Sequence, residues 1–390
     1  MALLLLVVIY LVFISLGLPD GVLGSAWPAI HTSLGVPVGY GGIVALVITL
    51  MGIVSSLSTS ALVGRLGVGP LLTLSTFLAA SALIGFSQAQ DFYWLVLLAV
   101  PLGLGAGAID AALNHYVATH YKAHHMNWLH AFWGLGATIG PIIFALTLAR
   151  GGDWHAGFLT LGLIQGCIVL ILLLSLPLWT HVRERRHAET AEDVDMHDVT
   201  YSLLLKDRGV LYSFLTFMLY VGVEVGIGLW LASYLVGIQE LADETAALYT
   251  GVYYGAITVT RIFTGFISMK VSGKLMIRAG IIVSLLGVMF LVADITHAAS
   301  LIGIILIGVG FAPIYPTLIH LTPERFGKNK SAKVISLQMV GASVGASIFP
   351  PLIGFISGAT SLLAFSFIVP FVLLGMLLAT ERQNKIIRTR

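Results

Sequence analysis

The stretches "GLGAGAIDAALNHYV" (residues 103–117) and "GVGFAPIYPTLIHL" (residues 308–321) lie 205 residues apart and match at Gly103 and Gly308, Ile109 and Ile314, Leu113 and Leu318, and His115 and His320. "PDGVLG" (19–24) pairs with "VEVGIG" (223–228) at an offset of 204, which sets Asp20 opposite Glu224. "GATIGPII" (136–143) pairs with "GASIFPPL" (345–352) at an offset of 209. Three matches at a nearly constant offset mark an internal duplication, which decides the architecture of the whole chain.

The solvent follows from composition. Of the 390 residues 58% are hydrophobic and only 10% charged, against roughly 25% charged in soluble domains. The chain reads as an integral membrane protein. Runs long enough to cross about 30 Å of hydrocarbon fall at residues 3–30, 40–63, 68–89, 93–119, 126–149, 156–179, 209–236, 244–269, 276–294, 299–321, 333–357 and 361–380. The first lacks the basic start and small-residue cleavage site of a signal peptide and reads as a retained helix. The expectation is therefore twelve helices in an N-terminal six-helix bundle (1–180), a polar linker (181–208) and a C-terminal six-helix bundle (209–390).

Charge placement orients the chain. Counted on alternate loops, 18 of the 20 Lys and Arg residues fall on one face; Arg150 falls on the other and Arg261 lies inside a span. By the positive-inside rule both termini and the linker are cytoplasmic, and an even number of spans requires the same of the termini. The net charge of +2 points to no nucleic-acid partner. The single cysteine, Cys167, allows no disulfide within the chain and reads as a small buried hydrophobe. No metal site is expected: His120, His124 and His125 read as a solvated turn, and His187 and His197 lack ligand spacing. No Walker-type loop or catalytic triad occurs, so the chain reads as a non-enzyme without cofactors.

Polar residues inside spans are costly, at least about 2.5 kcal/mol for a central Asp, and mark pathways or buried partners. Gly103, Gly107, Asp110 and Asn114 fall on one face of the fourth helix. Asp110 reads as a proton-coupling carboxyl, or as a group bonded to backbone or to Asn114. Asp20 follows Pro19, whose missing N–H frees backbone groups, and reads as a coupling or substrate residue or as the cap of a broken helix. Glu224 shares a face with Tyr220 and Gly228 and either serves the site or pairs with Arg261, the one cation within a span. Arg261 reads first as a cytoplasmic gate. His130 offers hydroxyl or proton contact. Trp27, Trp133, Trp230, Tyr254 and Tyr315 supply apolar faces in the same helices, and Gln338 a further hydroxyl partner. Trp94, Trp128, Trp154 and Trp179, near span ends, read as interfacial belt residues.

Two parallel repeats of six helices are the architecture of the major facilitator transporters. "GLPDGVLGSAWPAI" (17–30), "GLGAGAIDAALNHYV", "MNWLHAFWGLGATIGP" (126–141), "GVEVGIGLWLASYL" (222–235) and "GFAPIYPTLIHL" (310–321) together resemble the fucose permease-like branch of that superfamily, the fucose, galactose and glucose proton symporters. The resemblance implies proton and sugar handling by the acidic positions of the first and fourth helices, here Asp20 and Asp110. The fucose member has amides where this chain has His130 and Trp133, which points away from fucose itself. The superfamily's signature loop is degenerate in both copies. Ser60, Gly64, Arg65 and Gly67 follow the second helix, Gly265, Met269, Lys270, Gly273 and Lys274 follow the eighth, and the usual Asp is missing. Arg65 and Lys270 are the gating cations that remain.

The leading functional expectation is proton-coupled symport of a sugar-like solute by a monomer in the cell (inner) membrane. An exporter of amphiphilic or drug-like compounds is the alternative, and a transport-dead sensor a third reading. A reporter fused after Arg390 and another inserted within residues 181–208 are both expected to register cytoplasm. An outside signal from either removes the twelve-span topology.

Overall fold

In a computed structural model the described residues are 2–121, 123–184, 201–293 and 296–388. Lys122, residues 185–200 of the expected linker and Arg390 lie outside the described residues. Every regular element is helical: α1 (Ala2–Gly17), α2 (Val22–Leu34), a short 3-10 turn (Val38–Tyr40), α3 (Gly41–Leu66), α4 (Val68–Phe86), α5 (Phe92–His120), α6 (Ala123–Ala149) and α7 (Trp154–Glu184). There follow α8 (Tyr201–Leu204), α9 (Arg208–Gln239), α10 (Asp243–Ile267), α11 (Gly273–Val292), α12 (His297–Phe311), α13 (Ile314–His320), α14 (Thr322–Phe326), α15 (Lys328–Ala359) and α16 (Ala364–Arg388).

Among the described residues eleven segments are long and apolar enough to cross a membrane. The expected eighth span corresponds to α10, a 25-residue helix that is less apolar because it carries Asp243, Glu244 and Arg261. Two expected spans are interrupted. The first breaks between α1 and α2, and the tenth between α12 and α13, where Pro313 supplies no N–H. The chain divides into two compact units, residues 1–192 with 231–251 and residues 193–230 with 252–390.

Within the first unit the opening sequence "GLGAGA" explains the packing of α5. Lipid tails are as apolar as leucine, so helix association depends on close packing rather than on expulsion of water, and small residues let backbones approach. Gly103 and Gly107 lie against Ile48, Met51 and Gly52 of α3, while Gly105 lies against Ser75 of α4. A Cβ at position 107 would run into the Gly52 backbone. The α3 contact is further tied by Ser55 Oγ donating to the Leu104 carbonyl at 2.5 Å.

The duplication reappears as packing. In the first unit Gly136 of α6 sits against the Ile14 carbonyl of α1, and in the second Gly345 of α15 sits against the Met218 carbonyl of α9. Those glycines are 209 residues apart and those carbonyls 204, the offsets at which their segments align. Likewise Gly103 faces α3, and its repeat partner Gly308 faces Tyr253 and Ala256 of α10. Each repeat buries the same glycine against the same neighbour.

Large apolar side chains such as Leu57 (81% exposed) and Leu174 (82%) point outward, which suits hydrocarbon and would be an aggregation hazard in water. Cys167 is exposed on α7, contrary to the expectation of burial, because it falls on that outward face. Of the expected belt tryptophans, Trp94 and Trp128 are exposed, whereas Trp154 and Trp179 are buried. Trp179 fills the space over Gly69 and packs on Tyr116, so nearness to a span end did not decide its role.

Replacing Gly107 by Leu is expected to lower the thermal unfolding midpoint of the purified protein markedly, since overpacking costs about 1–3 kcal/mol. Gly64→Ala, where nothing lies within 4 Å of the added carbon, is expected to leave it unchanged. Equal behaviour of the two variants would remove the close-packing account of α5.

Candidate functional site

The first unit builds its polar centre around the break between α1 and α2. Pro19 cannot donate to Ser15, and Gly21 takes the left-handed conformation (φ 74°) that a side chain would resist. The chain therefore turns, with the Asp20 N–H bonding the Gly17 carbonyl at 3.0 Å. The carbonyl of Ser15 accepts instead from Gln165 Nε2 of α7 at 2.6 Å, and Gln165 is fully buried. A neighbouring side chain thus restores the bond that proline removed, as a break inside a membrane requires.

Asp20 is held half-buried at this turn. Its Oδ2 accepts from Trp133 Nε1 of α6 at 2.8 Å. Behind it a cavity of ≈ 50 Å³ is lined by Ser15, Asp20, Leu23, Ile109 and Phe158 among others, a space that fits water and little more. Asp110, on α5, is exposed, and its Oδ1 accepts from Asn114 Nδ2 at 2.8 Å. The same Nδ2 donates to the Asp110 carbonyl at 2.9 Å. Neither carboxylate is paired with a cation among the described residues. His130, half-buried on α6, meets the Phe13 ring edge-on with centroids 5.9 Å apart. The structure therefore brings Asp20 to Trp133 and Asp110 to Asn114.

Trp27 lies apart from this group. It is fully buried, donates from Nε1 to the Val38 carbonyl at 2.5 Å and covers Gly41, so its indole braces the turn into α3. Arg65 is exposed in the last turn of α3.

In the second unit the repeat-related helix α9 is unbroken, because neither Pro19 nor Gly21 has a counterpart beside Glu224. Here the buried carboxylate meets a cation. Arg261 Nη2 of α10 approaches Glu224 Oε1 at 3.3 Å and donates to the Tyr220 hydroxyl at 3.2 Å. Tyr220 in turn donates to the Phe311 carbonyl at 3.2 Å, and Tyr253 donates to the Glu224 carbonyl at 3.2 Å. Tyr315 meets Phe217 edge-on and lies tilted beside Tyr220, and its hydroxyl reaches Met339 Sδ at 3.3 Å. Tyr254 is buried, with its hydroxyl over Gly228.

Two other expected contacts are engaged elsewhere in this unit. Trp230 is fully buried and donates to the Pro350 carbonyl at 2.8 Å. Gln338 is buried and donates to Ser213 Oγ at 2.7 Å and Thr322 Oγ1 at 2.9 Å, tying α15 to α9 and α14. Lys270 is exposed in the turn after α10. Sequence reasoning gave no site role to Tyr220, one turn before Glu224, or to Gln165. The face that Tyr220 shares with Glu224 is legible in the spacing, but its hydroxyl bond with Arg261 is not. The role of Gln165 follows from asking which side chain satisfies the carbonyl that a mid-span proline orphans.

A family model described as Major Facilitator Superfamily matches residues 9–350 and 241–385. The chain is 24% identical over 295 residues to the Bacillus subtilis glucose/mannose transporter GlcP, covering 73% of this chain and 70% of that protein. It is 21% identical over 313 residues to the Xenopus laevis sodium-dependent glucose transporter 1, covering 74% of this chain and 62% of that protein. Among solved structures, the nucleoside transporter NupG superposes with a TM-score of 0.78 at 12% identity, over 96% of this chain and 98% of that one. A bacterial homolog of the human lysosomal transporter Spinster, inward-facing and unoccupied, gives a TM-score of 0.72 at 12% identity, over 98% and 95%. The all-helical fold, the glycine packing repeated in both halves and the family match agree: the chain belongs to the major facilitator superfamily, a family of membrane transporters.

Proposed function

We propose that the protein is a secondary transporter that couples proton movement to symport of a sugar or a similar polyhydroxylated small molecule by alternating access. The observation that carries this reading is the pair of carboxylates of the first unit. One stands at a helix break, the other is open to solvent in the middle of a span, and both are bonded to neutral donors only. A carboxyl group in that setting can take up and release a proton without stranding a buried cation. The relatives named for glucose transport support a sugar as the solute. Carboxylates and amides bond sugar hydroxyls, and aromatic rings cover the apolar face of a sugar ring.

In this mechanism Asp110 carries the proton and Asn114 orients it, while Asp20, fixed by Trp133, bonds the substrate beside His130. Glu224, Tyr254 and Tyr315 contribute from the second unit. Arg65, Arg261 and Lys270 act as cytoplasmic gates. The transporter works as a monomer in the cell membrane with cytoplasmic termini, as two six-helix bundles (1–180 and 209–390) joined by the 181–208 linker.

The test is uptake into proteoliposomes driven by an imposed pH difference, with sodium as the control ion. Asp110→Asn keeps the shape and cannot cycle a proton, so it is expected to abolish uphill accumulation while sparing exchange without a gradient. Asp20→Asn is expected to weaken substrate binding itself by about tenfold, the loss of one charge-assisted hydrogen bond. Accumulation by Asp110→Asn in response to pH would overturn the coupling role, and protection against amphiphilic toxins without sugar uptake would favour export.

The Glu224–Arg261 pair makes a separate expectation. Glu224→Gln strands the guanidinium and is expected to destabilise the protein by about 3–5 kcal/mol, read as thermal unfolding. The double variant Glu224→Gln/Arg261→Gln is expected to recover most of that loss. No recovery would show that the two residues do not act as a pair.

A further inference from the structure

Away from the polar centres, the ends of α11 and α16 in the second unit frame a cleft of ≈ 490 Å³. Lys274, Leu275 and Arg278 line it from α11, and Glu381, Lys385 and Arg388 from α16. Four cationic side chains thus converge around one carboxylate. That carboxylate is already committed, since Glu381 accepts two bonds from Arg278, from Nε and Nη2, each at 2.8 Å. The end of α16 is tied as well. Arg325 donates from Nη1 to Gln383 Oε1 and from Nη2 to Asn384 Oδ1, both at 2.9 Å, which holds the last turns of α16 in place. The result is a basic cleft in which Arg278 is held by Glu381 while Lys274, Lys385 and Arg388 stand exposed around it.

What adjoins the pocket selects the ligand. Leu275 at its edge is 52% exposed, and Leu378, one turn before Glu381, is 67% exposed. From there the exposed side chains continue along both helices as Ile282, Leu286 and Met289 on α11 and Leu374, Phe371 and Phe367 on α16. A basic cleft that opens onto a long apolar surface matches an amphiphile with an anionic head and hydrocarbon chains. Basic pockets between membrane helices recognise phosphate headgroups through the same charges.

We propose that this cleft binds the phosphate headgroup of an anionic phospholipid, with its acyl chains lying along the exposed faces of α11 and α16. Lys274 and Arg388 supply the charge, and the Arg278–Glu381 pair keeps the cleft open. The inference is independent of what the protein transports.

The test uses the full chain purified in detergent, read by native mass spectrometry and by thermal unfolding. The probes are phosphatidylglycerol, phosphatidylcholine with the same chains, and inorganic phosphate. Phosphatidylglycerol is expected to bind at least about tenfold more tightly than phosphatidylcholine and to raise the unfolding temperature, at roughly fivefold per cation engaged. Lys274→Gln/Arg388→Gln is expected to erase that preference, and Arg150→Gln, on the opposite loop face, to keep it. Arg388→Gln alone, expected to cut the preference by about fivefold, serves if the double variant does not fold. Equal binding of the two lipids, or a preference that survives the charge substitutions, would overturn the proposal. So would equal stabilisation by inorganic phosphate, which would make the cleft a site for soluble anions.

Discussion

A peptide carbonyl in hydrocarbon has no water to turn to, and the Ser15 carbonyl is the one on which the centre of the first unit depends. Pro19 removes its helical donor, Gln165 replaces that donor from α7, and the first span can then break without leaving a costly unsatisfied group. Only because the break is tolerated does Asp20 leave the helical path, and only there does its carboxylate meet the indole of Trp133. Gly136 and Gly140 let α6 approach α1 closely enough for that bond.

The second unit meets the same demand with different chemistry. Its seventh span is one continuous helix, so nothing like Gln165 is needed, and the acidic residue stays on the helical path. A buried carboxylate there must find a partner, and Arg261 supplies it, with Tyr220 bridging to the Phe311 carbonyl. Two repeats that match in their glycine contacts therefore differ in charge: among the described residues Asp20 and Asp110 of the first pair with no cation, whereas Glu224 of the second pairs with Arg261. In the proposed mechanism this asymmetry divides the labour. Neutralising Glu224 would strand Arg261, whereas neutralising Asp110 strands nothing.

Much of this was legible in the sequence because hydrocarbon leaves few solutions. Length and hydropathy are enough to find the helices, and the offsets of 204 to 209 residues mark a duplication that the glycine contacts of the two halves repeat. The pairs Asp110 with Asn114 and Glu224 with Arg261 were both legible, the first as a spacing on one helix, the second because a cation within a span must be neutralised. Aromatic residues were harder. Trp27 and Trp230 lie in the same spans as Asp20 and Glu224, yet their Nε1 atoms are spent on the carbonyls of Val38 and Pro350. A one-dimensional pattern tells which helix carries an indole but not which carbonyl lies across from it. Gln338 failed to stand out as a helix tie for the same reason, since Ser213 is 125 residues away.

The stretch that defines the fold also explains why its polar residues stay open. Gly103 and Gly107 bring α5 against α3, with Ile48 opposite the first and Gly52 opposite the second. Asp110 and Asn114 follow on the same stripe, one and two turns further along. One turn beyond the Gly107 contact, Asp110 is exposed. Ser55 of α3, one turn beyond Gly52, is buried and bonded to the Leu104 carbonyl, so α3 still holds α5 there. A larger residue at position 107 would move the contact point and with it the place where the carboxylate first meets solvent. In the proposed mechanism, glycine at the crossing and aspartate one turn beyond it act together, with the close packing at Gly107 setting where Asp110 exchanges its proton.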